Sequence, residues 1–357
     1  MEPGVFCSGV SFRKELFTGV RMLFDGIYNG RRVLVTGHAG FKGAWLAAWL
    51  VRLGAKVCGI SLRPHFEPNH FRLLSLPVQS EWCDIREPGE LSTIVGEVRP
   101  EIVFHFASQS SPERAWEEPE FTYSVNVMGC VHLLDAVRRT PGCRAVVVAL
   151  PGGGRSGPDP LAASGRCVAE VLASYRTGEE AVPVVGLRSG ILVGGGDWNA
   201  GRLLPDLVRA ALQRRNAILP AANSGFCCRH VLDFAADALE TGRRLLSGED
   251  FTPAVPENSP APFSVADAVR AAVSAWPELA VETTGGEMSP AGFVTDPVCV
   301  PVWNPEEAVA RAAAWYRAFH RDGELSTAAD LDAYLEAVRR NGASWLDGKM
   351  ESPAAGA

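Results

Sequence analysis

The feature that most limits the fold is a glycine triplet set between two elements of different period. Arg32-Val-Leu-Val-Thr36 is a short β-rich apolar run that passes into Gly37-His-Ala-Gly40-Phe-Lys-Gly43 and then into a helical pattern beginning near Ala44. Strand, glycine turn and helix in that order open a βαβ unit, which commits the chain to a parallel sheet. The alternation continues. Strand-like runs at Val57 to Leu62, Ile102 to Phe106, Ala145 to Leu150 and Val184 to Leu187 are separated by helical patterns at Ala44 to Leu53, Glu90 to Val98, Phe121 to Arg138 and Leu161 to Arg176. The expected class is α/β: a Rossmann-like parallel sheet with helices on both faces, plus a smaller C-terminal part covering the substrate side.

Beyond Gly194 the pattern is less regular, with a proline-rich stretch at Pro253 to Pro262 and helical runs at Val265 to Trp276, Pro305 to Arg321 and Thr327 to Arg340. The expected domains are a dinucleotide-binding domain over 22–190 and a smaller C-terminal domain over 191–346, interleaved with the first. Residues 1–21 are expected to be a non-native or disordered leader, with Met22 as the native start, and 347–357 a tail.

Each glycine of the loop has a distinct reason. Gly37 allows the tight turn, Gly40 lets a pyrophosphate approach the backbone, and Gly43 lets helix and strand pack closely. The helix then points free N–H groups and its positive end at the phosphates, so Gly37, Gly40, Phe41, Lys42 and Gly43 are candidate cofactor residues for NAD or NADP. About twenty positions on, an acid would take the ribose hydroxyl of NAD and an arginine would suit NADP. The residue there is Arg63, which reads equally as a solvated loop residue. Asp84, with Ile85 beside it, stands where an adenine amino group would be met, or is a structural turn aspartate.

Composition narrows the partners. The net charge is −7 with the basic residues scattered, so no nucleic-acid or anionic-membrane surface is expected. No apolar run is long enough to span a bilayer. The nine cysteines are an odd number lying mostly in apolar runs, which fits a reducing cytoplasm. Lysine occurs only at Lys14, Lys42, Lys56 and Lys349.

Thr36-Gly-His-Ala-Gly-Phe-Lys-Gly-Ala-Trp-Leu46 resembles the opening motif of the CDP-glucose 4,6-dehydratases, extended short-chain dehydrogenase/reductases of the NAD-dependent epimerase/dehydratase type. The resemblance continues through Pro100 to Gln109, Asn126 to Ala136, Gly194-Gly-Gly-Asp-Trp198 with Arg202-Leu-Leu-Pro-Asp206, Arg229-His-Val231 and Pro301 to Ala308. It implies that Phe106, Ala107, Ser108 and Gln109 line the nicotinamide side and that Asn126 holds the helix behind it. It places Arg202, Arg229 and His230 near a nucleotide-sugar, and implies a homodimer built on Phe121 to Arg138 and Leu161 to Arg176. For Asn126 a satisfied helix-interior amide, and for His230 a packed loop histidine, are the plainer readings.

The catalytic positions depart from that pattern. The family's tyrosine and its lysine four residues later fall at Leu161 and Gly165. The hydroxyl, carboxylate and amine at the end of the fourth strand fall at Leu150, Gly152 and Gly153, and the following loop is shortened to Arg155-Ser-Gly-Pro158. No other tyrosine has a lysine four residues on: the +4 neighbours of Tyr28, Tyr123, Tyr175, Tyr316 and Tyr334 are Arg32, Val127, Glu179, His320 and Val338. Arg166 stays protonated and shuttles no proton. Ile191 and Phe226 replace polar residues expected on the sugar side. Cys227-Cys228-Arg229-His230 matches no zinc spacing, so no metal is expected, and Ser164 as a nucleophile needs a histidine base that spacing does not supply. Three readings stand: a non-catalytic NAD(P)-binding relative, an enzyme on a nucleotide-linked sugar with a different catalytic set, and a working dehydratase.

Overall fold

The computed structural model describes residues 20–64, 67–154, 159–178, 181–220, 225–226, 228–253, 263–284 and 298–342. Most of the expected leader and of the proline-rich stretch, the loop 155–158, Cys227 and the tail lie outside the described residues. The central strands are β1 (Arg32–Thr36), β2 (Lys56–Ser61), β3 (Gln79–Trp82), β4 (Ile102–His105), β5 (Ala145–Ala149) and β6 (Val184–Leu187). They form one parallel sheet in the order β3-β2-β1-β4-β5-β6, with Val33 opposite Val57 on one side and Ile102 on the other. This is the Rossmann order, and its crevice opens at the strand C-termini, where the order reverses between β1 and β4.

The strand sequences explain their places. All five residues of β5, Ala145-Val-Val-Val-Ala149, are buried, as expected of an inner parallel strand covered on both faces. By contrast β3 is an edge strand, and its polar Gln79-Ser-Glu-Trp82 gave no apolar run to recognise.

The helices are α1 (Phe41–Arg52), α2 (His70–Leu74), α3 (Pro88–Val98), α4 (Pro112–Glu117), α5 (Pro119–Tyr123), α6 (Gly129–Arg138), α7 (Pro160–Arg176), α8 (Leu203–Leu212), α9 (Val231–Leu246), α10 (Val265–Ala275), α11 (Pro305–Asp322) and α12 (Thr327–Asn341). Three expectations need correction. First, α1 starts at Phe41, not near Ala44, because Gly40 caps it. Second, the single helix expected from Phe121 to Arg138 is α5, a π-helical turn at Ser124–Met128, and α6. Third, the supposedly irregular region after Gly194 contains α8 and the long α9. Almost the whole of α9 is buried; its polar stripe of Asp233, Asp237 and Glu240 faces the Val302 N–H, Arg229 and Arg243 instead of solvent.

An aromatic core joins the sheet to the C-terminal helices. Trp45, Trp49, Trp315, Tyr28, Tyr316 and Tyr334 are all fully buried, and Trp45 donates its indole N–H to the Gly195 carbonyl at 2.9 Å. Each tryptophan removes about 150–250 Å² from water, which stabilises by about 4–6 kcal/mol through transfer alone. No helix among the described residues is long and apolar enough to cross a membrane.

Candidate functional site

The site is built at the C-terminal ends of β1, β2 and β4. Gly37 has φ +72°, and a Cβ on it would lie 2.7 Å from the Ala107 nitrogen. A Cβ on Gly43 would lie 2.1 Å from the Gly37 carbonyl oxygen. Both contacts are with backbone, so neither position accepts a side chain without moving the chain. Gly40 caps α1 and no side chain occupies the cap, which leaves the first turn's N–H groups facing the crevice. The Gly37 N–H donates to the Ile60 carbonyl at 2.7 Å, and the Thr36 hydroxyl pairs with His105 Nδ1 at 2.7 Å and accepts from the Ala107 N–H at 3.2 Å. The loop is thereby tied to both neighbouring strands.

His38 is buried inside the loop and fills the space above Gly59, where a Cβ would meet its ring at 2.2 Å. Its Nε2 pairs with Ser80 Oγ at 3.0 Å, and its ring lies 5.5 Å from Trp82. Arg63 lies over the same Trp82, 5.3 Å from the ring centre. Asp84 is held by Arg86 through both carboxylate oxygens, at 3.1 Å to Oδ1 and 2.6 Å to Oδ2, and that guanidinium keeps its carboxyl below the ordinary range. Ile85 is buried, and its carbonyl pairs with His132 Nδ1 at 3.2 Å.

Along the end of β4, Phe106 packs on Phe234 at 5.4 Å, while Ala107 and Ser108 are half-buried. Asn126, on the π-helical turn, clamps the next residue by its backbone: it accepts from the Gln109 N–H at 2.8 Å and donates to the Gln109 carbonyl at 3.1 Å and to Ser164 Oγ at 3.0 Å. The Gln109 side chain donates to Thr122 Oγ1 at 2.9 Å. One buried amide therefore fixes the β4 loop against α7.

Opposite, β5 ends in buried Leu150 and a 3₁₀ turn over Pro151–Gly154, which includes Gly152 at φ +80° and Gly153. This turn lies against α7, where Leu161 is buried. A Cβ on Gly165 would lie 2.2 Å from the Pro151 carbonyl oxygen.

The C-terminal side adds a charged group at the mouth. Arg202 pairs with Asp197 at 2.6 Å and donates to Ser110 Oγ at 3.0 Å, bridging the triple-glycine loop to the β4 loop. Lys42 is half-buried, with its ammonium 5.4 Å over the Phe234 ring. Burial, helped by Arg202, brings its pKa down to about 8. Asp197 and Ser110 were not among the sequence candidates; the signal for Asp197 is its place in Gly194-Gly-Gly-Asp197.

Arg229 and His230 are buried, Arg229 lying 5.9 Å from the centre of the Phe234 ring that Lys42 also faces. Arg229 pairs with Asp237 at 2.5 Å, both side chains at most 5% exposed. His230 caps α9, its Nδ1 accepting from the Leu232 N–H at 3.2 Å, with Trp303 at 4.8 Å. Tyr28, Tyr316 and Tyr334 bond to the Leu239 carbonyl, the Asp197 backbone and the Asp233 carboxylate. No cluster of three or more metal-ligating side chains occurs among the described residues.

The buried imidazoles give a pH expectation. Burial holds His38, His70, His105 and His230 at about 4, 3, 4 and 3, against about 6.5 when unfolded. The unfolded chain takes up protons first, so their contribution is present above pH ~6.5 and is lost as pH falls below it. Asp233 and Asp330, raised by burial to about 6 and about 7, run the other way and gain stability as pH falls toward about 4. With His320 also lowered and Asp237 also raised by burial, five imidazoles stand against three acids, and the net effect is a loss of stability by pH ~4. Urea midpoints should therefore fall between pH 6 and 4; a flat profile would contradict neutral buried imidazoles.

Comparison with known proteins agrees with this architecture. The GDP-mannose 4,6 dehydratase family model matches residues 34–149. CDP-glucose 4,6-dehydratase of Salmonella typhimurium is 30% identical over 366 aligned residues, covering 89% of this chain and 100% of that protein. Among solved structures, the epimerase Mth375 of Methanothermobacter thermautotrophicus has a TM-score of 0.69 at 20% identity, covering 87% of this chain and 98% of the other. The UDP-glucose 4-epimerase of Brucella ovis in complex with NAD also has a TM-score of 0.69 at 20% identity, covering 80% and 97%. The glycine loop at the switch point of a Rossmann sheet and a full-length relative together lead to one conclusion: the chain belongs to the NAD-dependent epimerase/dehydratase family, as a homologue of the CDP-glucose 4,6-dehydratases.

Proposed function

We propose that this chain binds a nicotinamide dinucleotide, NAD or NADP, without running the family's oxidation and dehydration. The observation that carries the reading is at Gly165, where a side chain would grow into the Pro151 carbonyl 2.2 Å away. The turn after β5 fills the position at which the family pattern carries a lysine. Leu161 and Leu150, 3% and 6% exposed, occupy the places of its tyrosine and hydroxyl.

The bound coenzyme supplies a hydride acceptor. An alcohol gives up a hydride only if its hydroxyl proton leaves with it, and two leucines and a glycine accept no proton. Loss of a single general base lowers rates by about 10² to 10⁴. Arg166, always protonated, does not replace it. On the binding side, Gly37 and Gly43 let the turn close against the β4 loop and α1, Gly40 leaves the cap of α1 without a side chain, α1 presents its N–H groups, and Asn126 holds Gln109 in place. The epimerase structures from Thermus thermophilus and Brucella ovis contain NAD. A UDP-glucose 4-epimerase structure from Thermotoga maritima contains UDP-glucose. Here Arg202, part-exposed at the mouth and shared between Asp197 and Ser110, is the guanidinium we assign to a diphosphate, whereas Arg229 is buried against Asp237. The homodimer of this reading is built on α6 and α7, where Val131, Leu134, Val171 and Tyr175 line a groove.

A second reading, an enzyme with a different catalytic set on a nucleotide-linked sugar, draws on Lys42. An amine held near 8 exchanges protons close to neutral pH.

Calorimetric titration of the purified chain with NAD and with NADP tests the binding half: saturable binding of at least one is expected, and heat from neither overturns it. Rebuilding the dyad as Leu161→Tyr with Gly165→Lys should restore no turnover. It should also lower stability by about 1–3 kcal/mol, as overpacking does. A rebuilt variant as stable as the parent would contradict the filled position.

A further inference from the structure

The adenosine end of the crevice carries a cation with no carboxylate partner among the described residues. Arg63 follows the C-terminal end of β2, just past Ser61, whose carbonyl accepts from the Cys83 N–H at 3.1 Å. Its guanidinium lies 5.3 Å from the centre of the Trp82 ring. Trp82 is in turn braced by His38, whose ring fills the space over Gly59 and is fixed by Ser80. Strand period places Ser80 and Trp82 on one face of β3 and Glu81 on the other. Asp84, the next acid along, is already held by Arg86. The end of β2 therefore presents a guanidinium steadied on an indole and, among the described residues, no free acid.

That chemistry selects between ribose substituents. A ribose 2′-hydroxyl in this fold is taken by a carboxylate, which accepts a hydrogen bond from it; a 2′-phosphate needs donors. Arg63 has five N–H donors and no acceptor, in a fork that matches a phosphate. We propose that Arg63, held on Trp82, is a 2′-phosphate clamp, and that this chain takes NADP(H) in preference to NAD(H). The inference rests on the dinucleotide reading of the glycine loop and adds which dinucleotide is held.

The test is calorimetric titration of the full chain with NADPH and NADH, repeated with Arg63→Ala. Arg63 is exposed and makes no hydrogen bond among the described residues, so the variant should fold, and an unchanged melting temperature will show that it does. NADPH should bind about ten- to a hundredfold more tightly than NADH, the range expected for charge-assisted hydrogen bonds. The substitution should bring the two constants to within about twofold by removing those bonds. In competition, 2′,5′-ADP should displace NADPH far better than 5′-ADP does. Equal affinities, tighter NADH, or a preference that survives Arg63→Ala would overturn the clamp while leaving the dinucleotide reading intact. Binding of neither coenzyme would overturn both.

Discussion

Gly43→Ala should abolish measurable coenzyme binding and destabilise the chain by about 1–3 kcal/mol, the range for an added methyl that has no room. The methyl would sit 2.1 Å from the Gly37 carbonyl oxygen, a backbone atom of the turn whose own Cβ direction is blocked by Ala107. To relieve the contact, the first turn of α1 must move away from β1, carrying with it the N–H groups that we propose hold a pyrophosphate. The same substitution at Gly96, inside α3, meets nothing within 4 Å. There it should stabilise by about 0.4–1 kcal/mol, through helix propensity and a less flexible unfolded chain. Denaturant titration of the two variants side by side separates close approach from glycine loss in general. If Gly43→Ala matches the parent in stability and coenzyme affinity, the loop is not packed as described.

The second large effect is expected at Asp237→Ala. Its carboxylate faces Arg229 at 2.5 Å with neither side chain more than 5% exposed, and accepts from the Val298 and Cys299 N–H groups at 3.0 and 2.7 Å. Removing it strands a buried guanidinium, which costs about 3–5 kcal/mol. Burial raises the Asp237 pKa and Arg229 opposes that; the pair sits far enough inside that bulk solvent does not rescue it. Replacing both partners, as Arg229→Met with Asp237→Leu, should recover much of the loss, because no charge is left uncompensated. Chemical denaturation reads both variants. A single substitution costing under about 1 kcal/mol, the value of an exposed pair, would show that Arg229 has another partner or reaches water.

This pair also shows where sequence reasoning stopped. By resemblance the motif Arg229-His-Val231 puts an arginine near the crevice, but the direction of its side chain is set by the pairing with Asp237 on the buried α9, a tertiary contact. Asp233 and Asp237, one turn apart behind Arg229, were the available signal for an interior charge cluster. In β1 and β5, inner strands covered on both faces, and in β6, an edge strand that is itself mostly buried, the apolar runs give the strand bounds to within a residue. Edge strand β3 is not legible in the sequence, because Gln79-Ser-Glu81 offers no apolar run and its pairing with β2 is made by the backbone. The glycine loop was legible because each glycine answers a steric demand. Trp82 was not, because its role comes from β3 lying beside β2, a neighbourhood that one-dimensional spacing does not contain. Likewise the substitution of Gly165 was readable, while the Pro151 carbonyl filling its place was not.

The central claim is that no group beside the hydride position takes an alcohol proton. Its most direct test is to incubate the purified chain with CDP-glucose and saturating NAD or NADP, and to follow the sugar nucleotide by mass. Intact CDP-glucose should be recovered after many hours with coenzyme bound. Loss of one water from the sugar, at a rate above a no-protein control and abolished with Lys42→Ala, would contradict the claim and establish a different catalytic set.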